Sequence, residues 1–314
     1  MSLATLNLLE IIKSTQEAAI ACYGHIGKGN EKLADKAAVD AMRSSLNQMN
    51  FKARIVIGEG ERDQAPMLYI GEEVGSLRES VEACSYDVAV DPLEGTTICA
   101  SNLPGSLAVL AISEYGSMLH APDVYMDKIA TSVPIEEQVI DLDNPINENL
   151  KNIASYKKVD ISDLNIIILN RSRHAEIIAK VREAGARIKL IDDGDVAAVI
   201  AVANSQADLY LGTGGAPEGV LAAAALKTLG GQMMGRLLFK DEFEKAKAHK
   251  LGILDLNKKY QLNDLVKQDA IFCATGVTTG NLLNGVEKNG KYWKTHSLIL
   301  SSINKQIIKI ELVL

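Results

Sequence analysis

The chain has 314 residues, 47% of them hydrophobic and 23% charged, an ordinary globular composition with length for two lobes or one large α/β domain. A net charge of −7 argues against nucleic acid or an anionic membrane as the main partner. Cys22, Cys84, Cys99 and Cys273 form no CxxC pair, which favours free thiols over disulfides, and no window has the apolar length of a membrane span.

The opening apolar run carries acidic and polar side chains, so residues 3–21 read as an amphipathic helix rather than a signal peptide; the expected location is the cytoplasm. Residues 31–49 read as a second helix, with Ala34, Ala37, Ala38, Ala41, Met42 and Leu46 on one stripe. ARIVIG at 53–58 reads as a buried strand stopped by glycine, and 65–74 as a further helix. YDVAV before Asp91 and SLAVLAIS from Ser106 are strands, and 133–147 is irregular.

The second half alternates more cleanly. NIIIL (165–169), RIKLI (187–191) and ADLYL (207–211) are strands separated by helices at 174–184 and up to residue 203, with a third helix at 217–229. That alternation predicts right-handed crossovers and a mostly parallel sheet. The polar stretch 151–163 is the expected boundary, giving an N-terminal α+β lobe, 1–157, and a C-terminal α/β lobe, 158–314. SLILSSINKQIIKIELV closes the chain as an antiparallel hairpin, and this hairpin, 295–314, is a candidate for either sheet.

The five histidines show no paired spacing, so a zinc site is not expected; acids at strand ends suit a hard cation instead. In IVIGEGERD, Glu59, Glu61 and Asp63 alternate just past an apolar strand, which puts them on one side of an extended chain. Such crowding calls for a cation or for solvent. In DVAVDPLEGTT, Asp91 ends a second strand that Pro92 keeps from continuing. Glu94 follows, then Gly95, which lets a ligand approach the backbone, and Thr96, which offers a hydroxyl and an N–H. Two acid-tipped strands in succession favour a metal and phosphate site over incidental turns.

These two segments, with LADKAAVDAM, APDVYMDK, RSRH, DDGDVAA, GGAPEGV and ATGVTTGNLL in order, resemble the class II (GlpX-type) fructose-1,6-bisphosphatases of the lithium-sensitive phosphatase superfamily. The resemblance implies an α/β chain of two lobes with the αβαβα layered sugar-phosphatase fold. It implies two or three Mn²⁺ or Mg²⁺ ions on Asp35, Glu59, Asp91, Glu94 and Glu218, with Asp63 and Thr96 as activating residues. Substrate contacts fall on Glu94, Gly95, Thr96, Tyr125, Arg171, Ser172, Arg173, Asp193, Gly194, Asp195 and Gly215. The implied reaction is hydrolysis of the 1-phosphate of fructose 1,6-bisphosphate, a step of gluconeogenesis, by a homo-oligomer. Sedoheptulose 1,7-bisphosphate is the alternative substrate, and a non-catalytic phosphate-binding regulator the alternative class. The chain departs from the family pattern in having Glu31 where a lysine is frequent, in ICASNLPGS after DPLEGTT, and in a short stretch between Phe239 and Ala248.

Read without the family, several of these residues have plainer roles. Asp35 would be a solvated flank of its helix. Glu218, just after Pro217, would be an acid favoured by a helix N-terminus. The glycines of GTGGAPEG do not fit a dinucleotide loop, because Pro217 stands where a glycine is needed. Arg171 and Arg173 lie where a strand ends and a helix begins, a place that disfavours positive charge unless an anion binds there. DGD at 193–195 is a good N-cap sequence, and Tyr125 would ordinarily pack in the core.

Overall fold

The computed structural model describes residues 3–59, 68–81 and 85–314. The chain divides into two compact units, Met1–His120 with Val266–Leu314, and Ala121–Leu265.

In the first unit, helix α1 (Leu8–Cys22) starts where Asn7 accepts the Leu9 amide, and α2 (Glu31–Gln48) where Asn30 accepts the Leu33 amide. Then come β1 (Lys52–Ile57), β2 (Glu73–Val74), β3 (Ser85–Glu94), the short helix α3 (Thr96–Ala100) and β4 (Leu107–Glu114). Of the helix expected at 65–74, residues 65–67 lie outside the described residues; 68–74 hold a turn and β2 instead.

The second unit carries β5 (Tyr125–Thr131), α4 (Ile146–Lys157), β6 (Asn165–Leu169), α5 (Ala175–Glu183), β7 (Arg187–Ile191), α6 (Asp195–Ala203), β8 (Leu209–Gly215), α7 (Ala216–Leu229), β9 (Gln232–Leu238), α8 (Glu242–Lys250), β10 (Tyr260–Gln261) and α9 (Leu262–Leu265). The chain then returns to the first unit as β11 (Ala270–Gly276), β12 (Glu287–Asn289), β13 (Tyr292–Ser301) and β14 (Gln306–Val313).

The first sheet runs β12-β13-β11-β4-β3-β1-β2, with β14 also paired to β13. Its β1–β3 pair is parallel, and its other pairs are antiparallel. The hairpin β13–β14 therefore belongs to this sheet. Helices α1 and α2 bury Ile11, Met42 and Leu46 against Ile55, Val88, Leu110, Cys273 and Ile299, a core of aliphatic side chains. Full burial of each is worth roughly 1.5–3 kcal/mol. Truncating Met42 to alanine removes about 2–5 kcal/mol.

The second sheet runs β10-β9-β5-β8-β6-β7. Strands β7, β6 and β8 are parallel, as the β-α alternation implies, whereas β5, β9 and β10 add on antiparallel. The sheet is thus mixed rather than mostly parallel. The expected boundary at 157/158 also moves, to 120/121, because β5 pairs between β8 and β9 and draws 121–157 into the second unit. Neither Asp127 nor Lys128 in β5 suits an apolar strand pattern, which conceals it in the sequence. The polar stretch 151–163 is largely helix α4, whose Leu150, Ile153 and Ala154 are buried at helical spacing.

Candidate active site

Of the site residues expected in the first unit, Glu59 lies just past β1, and Asp91, Glu94, Gly95 and Thr96 lie at the end of β3 and the start of α3. These strands are parallel with Ile57 opposite Ala89; Glu59 follows two residues past the end of β1, and Asp91 lies two residues past Ala89 within β3. Gly58 precedes Glu59 because a Cβ there would stand 2.0 Å from the Leu68 carbonyl, and the Glu59 amide donates to that same carbonyl at 2.9 Å. Both acids are half-buried. Asp91 Oδ1 accepts the Leu93 amide at 3.1 Å, and this local bend leaves Pro92 and Leu93 out of the register before Glu94 pairs with Leu107 of β4. Glu94 is buried, and one of its carboxylate oxygens lies within 4.8 Å of one of Asp91.

Gly95 follows at φ +79°, a left-handed conformation that L side chains adopt rarely, and opens α3 with no side-chain cap. Thr96 is the first residue of that helix. The Thr97 hydroxyl donates to Glu31 at 2.8 Å, so the acid that replaces the family's frequent lysine ties the start of α2 to α3. Asp35 is one turn further along α2; burial pushes its carboxyl above the ordinary value. Asp63 lies outside the described residues.

In the second unit, most of the residues expected to contact substrate lie at the ends of β6, β7 and β8. Arg171, Ser172 and Arg173 turn directly after β6, as the sequence implies. Arg173 donates from Nε and Nη2 to the Thr213 carbonyl, at 3.0 and 2.8 Å, and its guanidinium lies 4.8 Å from the Tyr125 ring centre. Tyr125 is 54% exposed rather than packed in the core. His174 is fully buried beneath this turn. Its Nδ1–H donates to the Leu169 carbonyl, and its Nε2 accepts the Thr213 amide at 2.8 Å.

Helix α6 is opened by Gly194 in the left-handed conformation, without a side-chain cap. The expected aspartate cap is therefore absent. Asp193 Oδ1 accepts the Gly194 amide, and Asp195 is buried with the Lys128 ammonium and the Tyr210 hydroxyl on its Oδ2. Glu218 stands in the first turn of α7 behind Pro217, and a Cβ on Gly215 would lie 2.0 Å from its Oε2. The carboxylate thus folds back over the start of its own helix, where the helix dipole favours it.

Lys128, His174, Thr213 and Tyr210 were not singled out as site residues in the sequence. The one signal was a lysine inside the strand-forming part of APDVYMDK, where an exposed side chain would be the ordinary outcome.

The donor chemistry fits divalent cations. All five expected ligands are carboxylates, and the Asp91–Glu94 approach places two like charges together on a partly buried strand end. Hard oxygen donors of this kind take Mg²⁺ or Mn²⁺.

Acid-tipped parallel strands, a glycine-opened helix turn and an arginine turn on a second α/β unit are the parts of a metal-dependent phosphatase. The model of the glpX-encoded bacterial fructose-1,6-bisphosphatases matches residues 5–313. A "D-fructose 1,6-bisphosphatase class 2/sedoheptulose 1,7-bisphosphatase" of Synechococcus sp. (strain JA-2-3B'a(2-13)) is 42% identical over 322 residues, covering 95% of this chain and 92% of the relative. One of the same description from Thermosynechococcus vestitus is 43% identical over 323 residues, with the same coverage. Among solved structures, the extragenic suppressor protein SuhB of Bartonella henselae aligns over 66% of this chain and 75% of its own, at 13% identity and a TM-score of 0.37. The chain belongs to the glpX-encoded bacterial fructose-1,6-bisphosphatase family.

Proposed function

We propose that the protein hydrolyses the 1-phosphate of fructose 1,6-bisphosphate to fructose 6-phosphate and inorganic phosphate, with divalent cations held by Asp35, Glu59, Asp91, Glu94 and Glu218. The observation that carries this reading is the approach of the Asp91 and Glu94 carboxylates to within 4.8 Å at the end of β3, the strand parallel to the one that leads to Glu59.

Two or three Mg²⁺ or Mn²⁺ ions would supply activation of water and neutralisation of charge on the departing oxygen. Asp63, with Thr96, orients the attacking water and takes its proton. Glu94, Gly95 and Thr96 cradle the phosphate to be cleaved, the last two by backbone amides at the turn into α3. Arg171, Ser172 and Arg173 hold the phosphate that stays. Arg173 suits this role because two of its nitrogens are anchored on Thr213, while Nη1 has no partner among the described residues. Tyr125 backs that guanidinium, and Asp193, Gly194, Asp195 and Gly215 line the sugar. The same reading takes the enzyme to be a cytoplasmic homo-oligomer, with its oligomeric state open to measurement by sedimentation.

The test is phosphate release by purified protein with Mn²⁺ or Mg²⁺ from fructose 1,6-bisphosphate, compared with sugar monophosphates, and with lithium and EDTA as inhibitors. No release above the uncatalysed rate with either cation would sink the reading. A second substrate, sedoheptulose 1,7-bisphosphate, is favoured by the double activity in the relatives' names. The ratio of kcat/KM for the two sugars decides between one specificity and two.

No helix among the described residues is long and apolar enough to cross a membrane.

A further inference from the structure

We infer that Lys128 is a positioning residue, whose buried ammonium fixes both the sugar-facing carboxylate of Asp195 and the turn into the helix that carries Glu218. This inference rests on the function proposed above.

Lys128 sits in the middle of β5 with 1% of its surface exposed. A buried lysine is costly unless its charge is met. Here Nζ donates to Asp195 Oδ2 and, at 2.8 Å, to the Gly215 carbonyl. It therefore ties the first residue of α6 to the residue that precedes α7.

The glycines around it make room for this arrangement. Both cross-strand neighbours of Lys128 are glycines, Gly212 and Gly235. A Cβ on Gly214 would lie 2.4 Å from Asp195 Oδ2 and 3.0 Å from Lys128 Nζ. One on Gly219 would lie 3.3 Å from Lys128 Cδ, beneath α7. The segment GTGGAPEG, which fits no dinucleotide loop, thus has a local explanation: two of its glycines leave space for the lysine and its carboxylate.

The arrangement also orients Asp195. Its Oδ2 receives Lys128 and the Tyr210 hydroxyl, the latter at 3.3 Å, whereas Oδ1 has no partner among the described residues. One oxygen is held by the protein and the other is left to accept a sugar hydroxyl. A methionine would fill the same space and pack against Gly219, but it would leave the carboxylate and the Gly215 carbonyl without their donor.

The experiment uses the Mn²⁺-loaded full-length enzyme and the variants Lys128→Met and Tyr210→Phe. It reads KM and kcat for fructose 1,6-bisphosphate, with calorimetric binding of fructose 6-phosphate as a measure independent of turnover. Loss of a charged donor predicts a KM about 10-fold higher or more in Lys128→Met, with a matching loss of fructose 6-phosphate affinity. Loss of the neutral donor predicts a rise of about threefold in Tyr210→Phe. In an Asp195→Asn background, Lys128→Met adds less than about twofold to KM, because the two residues act as one unit.

A purely structural lysine would lower the melting temperature and the folded fraction while KM of that fraction stayed at the wild-type value, and that result overturns the inference. If Lys128→Met does not fold, Tyr210→Phe decides, and unchanged KM and sugar-phosphate affinity there overturn the inference. Wild-type protein that releases no phosphate but binds fructose 6-phosphate counts against the proposed reaction alone, and the binding measurements still judge Lys128. Wild-type protein that binds no sugar phosphate overturns both.

Discussion

A carboxylate oxygen of Asp91 lies within 4.8 Å of one of Glu94, across the bend that follows Asp91 in β3. The Leu93 amide donates to Asp91 Oδ1, and this bend brings the two acids together within one strand. Like charges so placed repel unless a cation lies between them.

Asp91→Asn and Glu94→Gln each test that relationship. Turnover is expected to fall at least about 100-fold in either variant. The cation-free variants keep wild-type circular dichroism and unfold at the same temperature or higher, since a like-charge contact has been relieved. Wild-type protein gains melting temperature when Mn²⁺ is added, and the variants gain less. Wild-type turnover by either variant would remove these residues from the site.

Gly215→Ala separates the backbone from the carboxylate above it. Gly215 has φ −65° and ψ 144°, which alanine adopts freely, but its Cβ would lie 2.0 Å from Glu218 Oε2. Stability should change by less than about 1 kcal/mol. The Mn²⁺ concentration for half-maximal activity should rise about 10-fold or more, as when a ligand's supporting contacts are lost. An unchanged Mn²⁺ dependence would separate Glu218 from the metal.

Acid stability should carry the mark of Asp87. Burial works to raise this carboxyl, but the His120 ring, the Met118 amide and the Arg54 guanidinium outweigh it and hold it below the ordinary value. A carboxyl depressed in the folded state stabilises the fold fully above its unfolded pKa, about 3.9. That contribution is lost as pH falls from there through the lower folded value. Urea midpoints measured from pH 6 downward should therefore converge for wild type and Asp87→Asn as the solution becomes acidic. Parallel curves would show that Asp87 does not contribute in this way.

Cysteine reactivity offers a fourth check. Cys22, Cys99 and Cys273 are free and buried. Burial pushes the Cys273 thiol up to about 12, and the neighbouring Cys99 together with burial raises Cys22 as well. Thiols of this kind are poor nucleophiles. Alkylation at pH 8, followed peptide by peptide, should modify Cys22 and Cys273 at least about 100-fold more slowly in the native protein than in urea. Rapid native labelling of either would contradict the burial.

Much of the first unit was legible before folding. Asn30 and the alanine stripe define α2, and the apolar run of ARIVIG ends before Gly58. YDVAV, by contrast, continues past Asp91 to Glu94, because Pro92 falls at a bend of β3 rather than ending it. Elements with polar residues at buried or paired positions were not legible. β5 carries Asp127 and Lys128, whose partners, Thr213 and Asp195, lie more than sixty residues away. The aspartates of DGD have the composition of a cap, yet Gly194 opens the helix and Asp195 turns to Lys128.

Local patterning determined α1, α2 and the apolar strands β1, β3, β4, β6, β7 and β8, because caps, breakers and apolar periodicity act over a few residues. The sequence motifs also carried the family. Tertiary structure alone decided that β5 pairs between β8 and β9, that the closing hairpin returns to the first sheet, and that a lysine in a polar-looking strand is buried. Those outcomes depend on register and on charge partners remote along the chain, and neither has a short-range signal.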